Sequence, residues 1–546
     1  MAQGGRTQMR DWWRDAIIYQ VYPRSFQDSD GDGIGDLPGI TARLPHIASL
    51  GVDVVWLSPV FTSPDRDMGY DVSDYCNVNP IFGTLADFDA MVAAAHALGL
   101  KVIVDQVISH SSIEHPWFKA SRADRANPKA DWYVWADPKA DGTPPNNWPS
   151  VFGGSAWTWD TRRKQYYLHN FLIEQPDLNF HNPDVMDALL GTMRFWLDRG
   201  LDGFRLDTVN FYVHDARLRD NPAGEWEEFP NNPYEAQNHL FSKTRPENIA
   251  VLQRIRALTD EFGATMTVGE VGEAGRMIDI MAEYTSGGDK LHMAYSFEFL
   301  GPDRSATHFR RGIERFLRAA PDGWPCWAFS NHDVTRHATR WTAPGADSDA
   351  VARQAIALLC SFPGALCLYQ GEELGQTETD ILFEEVRDLG YIDFWPAIKG
   401  RDGCRTPMVW DHNAPHGGFT TGTPWLPVKP PQAARAVNRQ EGDKDSVLST
   451  YRACIALRRA RAELRDGATR FHDLPEPLLA IERSLPGQVL TGVFNLSDAA
   501  VTLDAKGQFT PVGPMAATRH GPHLTLPAQG FVFLESAQAV TLAAMV

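Results

Sequence analysis

Arg205 and Asp207 stand two residues apart in the run Gly203-Phe204-Arg205-Leu206-Asp207-Thr208-Val209-Asn210. The run follows Trp196, Leu197 and Gly200-Leu201, the apolar end of a helical pattern with a glycine stop, and so reads as a short buried strand. Side chains alternate along a strand, which puts the guanidinium and the carboxylate on one face. Burying an ionised carboxylate is costly unless it is paired and hydrogen-bonded, and the ionised form is the one a nucleophile needs. A structural ion pair at a strand end is the competing reading. Asp105, Glu270 and Asp333 close other short apolar runs, with His110 and His332 alongside. Two carboxylates flanking one bond are the equipment of glycoside hydrolysis: the ionised one attacks the sugar carbon and the protonated one assists the leaving oxygen.

Such residues are far apart in sequence and need a frame that gathers them. Eight strand-like runs are visible: Ile17–Tyr22, Val52–Leu57, Lys101–Asp105, Gly203–Asp207, Met266–Glu270, Ala294–Phe299, Cys326–Asn331 and Leu366–Gln370. Helical patterns lie between most of them, for example Leu85–Leu98, Val185–Leu197, Ile249–Phe262 and Val351–Leu359. Alternation of buried strands and helices predicts a parallel (β/α)8 barrel, with an open doubly wound sheet as the competing architecture. The barrel reading assigns residues 11–110 and 179–465 to the catalytic unit. Residues 111–178, rich in Trp, Pro, Asn and Asp, form an inserted domain after the third strand, and 371–440 form a second excursion. Both leave from carboxyl ends of strands, where a barrel builds its site. From 466 to 546 the pattern changes to alternating runs between Gly/Pro turns, which predicts a C-terminal β-sandwich domain.

Composition narrows the function classes. The 546 residues are 43% hydrophobic and 22% charged, with a formal net charge of −18. An acidic chain without basic blocks argues against nucleic acid or an anionic membrane surface as partner. Six cysteines without a C-x-x-C pair suggest neither a zinc site nor a disulfide framework, and fit a cytoplasmic setting. No long apolar run predicts a membrane span, and no signal-peptide core follows the first methionine; the Gly/Gln-rich start reads as an extension. Seventeen Trp, 14 Tyr and 28 Phe suit sugar binding, although large aromatics serve cores more often.

Four segments carry a resemblance: Asp105-Gln106-Val107-Ile108-Ser109-His110, Gly203 to Asp207, Val268-Gly269-Glu270 and Phe329-Ser330-Asn331-His332-Asp333. In order and spacing they resemble the signature regions of the α-amylase family, glycoside hydrolase family 13, over essentially the whole chain. Tyr19 to Phe26 and Gly403 to Met408 are similar to its α-glucosidase and oligo-1,6-glucosidase branch. The resemblance implies a retaining mechanism through a covalent glucosyl-enzyme intermediate. Asp207 would be the nucleophile, Glu270 the general acid/base and Asp333 the third carboxylate, gripping sugar hydroxyls. It also implies that His110, Arg205 and His332 surround the nucleophile and bound glucose, and that Asp67 and Tyr70 wall the glucose subsite. Asp67 would pair with Arg401 to block the pocket, which makes an exo-acting enzyme. Phe152 and Phe171 would stand at its mouth, with core packing as their alternative. Thr208 after the nucleophile resembles the α-1,4-preferring enzymes.

The reading that follows is hydrolysis of α-1,4-linked glucose from short substrates such as maltose, with glucosyl transfer sharing the intermediate. A sucrose-cleaving enzyme or dedicated glucosyltransferase is the alternative, and a non-catalytic family relative a remote one. The partners are small α-glucosides, the chain a monomer or homodimer. No organic cofactor is expected. Asp28-Ser29-Asp30-Gly31-Asp32-Gly33-Ile34-Gly35-Asp36 matches the front of an EF-hand-like loop, although Gly39 stands where the closing Glu would be. Asp28, Asp30, Asp32, the Ile34 carbonyl and Asp36 are the expected ligands of one structural divalent cation, calcium or magnesium, as in related enzymes of the branch. A solvated acidic turn is the alternative.

Overall fold

Eight parallel strands make one sheet in the computed structural model, which describes residues 11–545; the amino-terminal extension lies outside the described residues. They are β1 (Ile17–Val21), β2 (Val54–Leu57), β3 (Lys101–Gln106), β4 (Gly203–Leu206), β5 (Met266–Val271), β6 (Met293–Ser296), β7 (Cys326–Ala328) and β8 (Ala365–Tyr369). Their order is β6-β5-β4-β3-β2-β1-β8-β7, and a parallel bridge between Ala294 and Pro325 joins the two ends, so the sheet closes into a barrel. Eight helices follow the strands in turn: α1 (Leu37–Ser49), α2 (Leu85–Ala97), α3 (Pro183–Asp198), α4 (Asn248–Glu261), α5 (Met277–Thr285), α6 (Ala306–Ala319), α7 (Ser348–Ser361) and α8 (Val447–Ala460). Closure excludes the open doubly wound alternative.

Strand alternation builds two cores. Tyr19, Val21, Val55, Leu57, Val102, Val104, Phe204 and Leu206 face the helices, whereas Ile18, Val54, Ile103, Met266, Val268 and Met293 fill the barrel interior. Gly203 sits where a Cβ would run into the Met266 carbonyl of the neighbouring strand, so only glycine lets β4 and β5 approach. The sixth and seventh strands are shorter than their apolar runs. Phe297–Leu300 turns into a 3-10 helix capped by Ser296, and the chain leaves the ladder after Ala328.

Between β3 and α3 the chain forms a three-stranded sheet, Trp135–Ala136, Gln165–Leu168 and Trp157–Asp160, over a small core of Val134, Trp148, Ala156, Trp157 and Leu168. The sequence pattern shows two excursions; the structure adds a third, residues 207–247 between β4 and α4. It contains little regular structure and is fastened to the β3 insertion by long-range amide contacts. Asn147 Nδ2 donates to Asn221 O at 2.8 Å and Asn232 Nδ2 to Val151 O at 2.7 Å. Such pairings have no local periodicity to reveal them.

The C-terminal strands form a five-stranded and a four-stranded antiparallel sheet. Along the larger sheet, Leu478, Ala480, Val493, Val532 and Leu534 face the smaller sheet, with Leu503, Leu524 and Leu526 opposite. Their neighbours Leu479, Ile481, Phe494, Phe531 and Phe533 join the core of the barrel. Period-two alternation thus buries the central strands of this sheet on both faces.

Candidate active site

Above the apolar filling of the barrel, the same period two places charged and aromatic groups at the carboxyl ends of the strands. Asp105 is two residues beyond Ile103, Arg205 two beyond Gly203, and Glu270 two beyond Val268. Parallel register then sets Asp105 beside Arg205 and Glu270 beside Tyr295. Asp207 follows β4 directly. Asp333 arrives on the loop after β7.

Arg205 is wholly buried and pairs with three carboxylates. Its Nη1 meets Asp207 Oδ1 at 2.6 Å and also Asp105 Oδ1, while Nη2 meets Glu270 Oε1 at 2.6 Å. One guanidinium fork therefore holds Asp207 and Glu270 facing each other. Tyr295 OH accepts from Arg205 Nη2 and donates to Glu270 Oε1, both at 2.9 Å. Trp56 Nε1 and Tyr70 OH each donate to Asp105 Oδ2 at 3.2 Å. Removing Arg205 would strand three buried carboxylates, a loss of roughly 3–5 kcal/mol on the scale of broken buried pairs.

One cation cannot neutralise three anions, and burial raises the pKa of all three carboxyls. Glu270 is pushed up to about 7, burial being the largest cause, Arg205 opposing it and the Asp207 and Asp333 charges adding to it. Asp333 goes the other way. Burial disfavours its charge, but the Arg401 and Arg405 guanidiniums override burial and hold it well below the usual carboxylate range. Arg405 Nη2 reaches Asp333 Oδ1 at 3.0 Å and Arg401 Nη1 reaches the same oxygen at 3.3 Å. The site thus separates a protonatable carboxyl from a firmly ionised one, the division of labour that acid/base chemistry requires.

Thr208 ties the pair together. Its amide donates to Glu270 Oε2 and its hydroxyl to Asp207 Oδ2, both at 3.2 Å, and Ser109 Oγ lies 3.0 Å from that hydroxyl. The residue takes φ 39°, a left-handed conformation costly for a β-branched side chain and typical of strain kept at working sites.

These groups open into a cavity of about 1080 Å³ lined by Asp207, Glu270 and Asp333. Asp67, Tyr70, His110, Phe152, Phe171, Thr208 and Arg401 share the lining. Arg205 and His332 are buried beneath it: His332 touches Gln20 Nε2 at 2.8 Å through Nδ1 and Tyr70 OH through Nε2. Arg401 Nη2 donates to Asp67 Oδ1 at 2.8 Å, and Gln175 Nε2 donates to Asp67 Oδ2 at 3.0 Å. Burial lowers His110 to about 4, so it is neutral at pH 7; its Nε2 lies 3.0 Å from the Tyr70 carbonyl. The Phe171 ring centroid is 5.1 Å from that of His110, and Phe152 lies 5.2 Å from the Arg401 guanidinium.

Sequence reasoning missed several partners. Tyr295 was legible as a strand residue, and Arg405 lies in the Gly403 to Met408 stretch, but neither could be aimed at a carboxylate without strand register. Asp388 and Gln175 lie in coil, and the wall from Ala223 to His239 is irregular apart from one 3-10 turn, Pro233–Ala236, so none carries a periodic signal.

The acidic loop is separate. Carboxylate oxygens of Asp28, Asp30 and Asp36 lie within 4.8 Å of one another. Asp32 stands outside this cluster of side chains, its Oδ1 accepting the Ile34 amide at 2.7 Å. Among the described residues none of them has a Lys or Arg partner, and an all-oxygen set suits a hard divalent cation. Asp36 also caps α1 through the Gly39 amide. The loop braces the excursion that carries Arg401: Asp28 N donates to Phe419 O at 3.1 Å and Trp425 N to Gly33 O at 3.0 Å.

Comparison with known proteins gives a consistent picture. Residues 20–467 match the family described as alpha amylase, catalytic domain. A "Probable alpha-glucosidase" of Rhizobium meliloti (strain 1021) is 58% identical over 500 residues, 90% of this chain and 91% of the relative. An "Oligo-1,6-glucosidase" of Halalkalibacterium halodurans is 38% identical over 516 residues, 89% of this chain and 90% of the relative. Among solved structures, an "alpha-glucosyl transfer enzyme" is 51% identical and superposes with a TM-score of 0.93 over 96% of this chain and 99% of its own. Among the described residues no helix is long and apolar enough to cross a membrane.

Proposed function

This chain belongs to the alpha-amylase family, glycoside hydrolase family 13, in its α-glucosidase and oligo-1,6-glucosidase branch, and on that premise we propose that it is an exo-acting, retaining α-glucosidase. Its substrates are short α-1,4-linked glucosides such as maltose. The observation that carries the reading is the Arg205 fork holding Asp207 and Glu270 together in a cavity that also contains the Arg401–Asp67 pair. The Asp207 carboxylate attacks the anomeric carbon and forms a glucosyl ester. Glu270 gives its proton to the leaving oxygen, then as a carboxylate takes a proton from the incoming water. Asp333 is ionised, and its Oδ2, which neither Arg401 nor Arg405 holds, accepts hydrogen bonds from sugar hydroxyls. Arg401 with Asp67 limits the space beyond the terminal glucose.

Transfer is the second reading, favoured by the similarity to an alpha-glucosyl transfer enzyme. A sugar hydroxyl in place of water resolves the same ester into a new glucoside. Asp28, Asp30 and Asp36 would hold a structural divalent cation, distant in role from the carboxylates that react.

Maltose, isomaltose and sucrose, each incubated with the protein and followed by chromatography, test this function. Glucose from maltose but not from isomaltose is the expected result, with larger oligosaccharides exposing transfer. Cleavage of sucrose alone would keep the mechanism and change the substrate. Asp207→Asn is expected to lower turnover by at least about 10⁴-fold with an unchanged melting curve; wild-type rates in that variant overturn the assignment.

A further inference from the structure

Arg401 reaches both Asp67 and Asp333, and on the α-glucosidase reading the glucose to be transferred would lie against them. The leaving sugar must lie on the side of Glu270, the group that protonates its oxygen. On that side the chain after Glu270 supplies Gly272 and Glu273 to the cavity lining, which Phe211, Tyr234, His239 and Lys243 share.

Lys243 is the unusual member. Its side chain is 5% exposed, a depth that lysine seldom reaches without a close carboxylate, yet Glu273 Oε2 is 3.9 Å from Nζ. Among the described residues Nζ has one hydrogen-bond acceptor, the Gly272 carbonyl at 2.9 Å. Ring faces of Phe211 and Tyr234 stand 4.7 and 5.3 Å away and favour the cation without accepting its remaining protons in the plane of a lone pair. An ammonium has three N–H donors, and a neutral amine two. In either state a donor remains over, on a side chain that lines the reaction cavity. The main-chain contact also fixes its place, because Gly272 is held from the other side by Asn210, whose Nδ2 donates to the same carbonyl at 3.0 Å.

We propose that Lys243 Nζ donates a hydrogen bond to a hydroxyl of the leaving sugar, and to the acceptor sugar when the glucosyl group is transferred, so that it selects sugar over non-sugar partners of the glucosyl bond. The proposal rests on the α-glucosidase reading and names a residue of its leaving-group side.

The test compares kcat/KM for maltose with that for 4-nitrophenyl α-glucoside, whose leaving group carries no sugar hydroxyl. Lys243→Met keeps the stem and removes the donor. It is expected to lose about 10- to 100-fold on maltose, the worth of one charge-assisted hydrogen bond, and less than about 3-fold on the aryl glucoside. Lys243→Gln, which restores a donor, is expected to recover part of the maltose loss. Equal losses on both substrates, or none on either, overturn the proposal while leaving the enzyme an α-glucosidase. A wild-type protein that cleaves neither glucoside overturns the functional reading itself and this proposal with it. If Lys243→Met does not fold, as judged by its melting curve, the same comparison in Lys243→Gln decides: the maltose loss must exceed the aryl loss, or the proposal falls.

Discussion

Asp388 holds Arg401 with both carboxylate oxygens, Nε donating to Oδ2 and Nη2 to Oδ1, each at 2.8 Å. The Arg401 amide also donates to Oδ2, at 3.0 Å. The bidentate grip orients the guanidinium so that its outer nitrogens reach Asp67 and Asp333. Asp388→Asn keeps the shape and removes the charge that directs Arg401. KM for maltose is expected to rise about tenfold or more with a smaller change in kcat, by the worth of a charged hydrogen bond. Steady-state kinetics on maltose and maltotriose check this; an unchanged KM would show that Arg401 needs no such hold.

The pKa of Glu270, about 7, sets the alkaline side of the pH profile. A general acid works while protonated, so kcat/KM for maltose falls as pH rises through about 7. The hydrogen bond from Tyr295 OH lowers that pKa. Tyr295→Phe removes it, and the alkaline limb is expected to move to higher pH. A limb that stays in place, or moves down, contradicts the role given to Glu270.

Thr208→Val preserves the branched shape and deletes the hydroxyl that touches Asp207 Oδ2 and Ser109 Oγ. Its kcat on maltose is expected to fall by about 10-fold, the low end for a hydrogen bond to a carboxylate. The ratio of isomaltose to maltose cleavage is expected to rise. Rates measured on the two disaccharides decide the point.

Removal of divalent cations tests the loop at Asp28, Asp30 and Asp36. Melting temperature is expected to fall with chelator and recover with calcium. Ligand at a hundredfold excess over its dissociation constant stabilises a fold by about 2.7 kcal/mol. Asp30→Ala is expected to melt at one temperature with and without chelator. A wild-type curve indifferent to both additions would leave the loop a plain acidic turn.

The barrel was legible because its strands are apolar runs of the right length and its charged rim residues follow them at period two. Ile103 to Asp105 and Gly203 to Asp207 show the rule most clearly: the apolar or small residue goes into the barrel filling and the ionic one goes above it. The Arg205–Asp207 pairing followed from spacing alone. Its extension to Glu270 did not, since that depends on β4 and β5 lying side by side. Strand ends were overread at Phe297 and Phe329, where apolar side chains continue but the backbone turns away from the ladder. The excursion from 207 to 247 escaped notice because Asn147, Asn221 and Asn232 order it through partners some 70 to 80 residues away. Asp388 was invisible for a related reason, as its role exists only once the coil brings it to Arg401. At the acidic loop the spacing suggested five ligands, and the carboxylates of three of them, Asp28, Asp30 and Asp36, converge.

The three central strands of the larger C-terminal sheet, Leu478–Leu485, Gln488–Asn495 and Phe531–Ser536, have no outside. One face completes the barrel's helical layer and the other completes the small sandwich, so Phe494 and Val493, adjacent in the chain, serve two different interiors. The carboxyl-terminal unit is therefore not a detachable appendage. Trimming the chain before Ala468 would strip apolar cover from α7 and α8, and the catalytic unit left behind would be a sticky, incomplete body. The two ends of the chain thus share one interior and must fold as a unit.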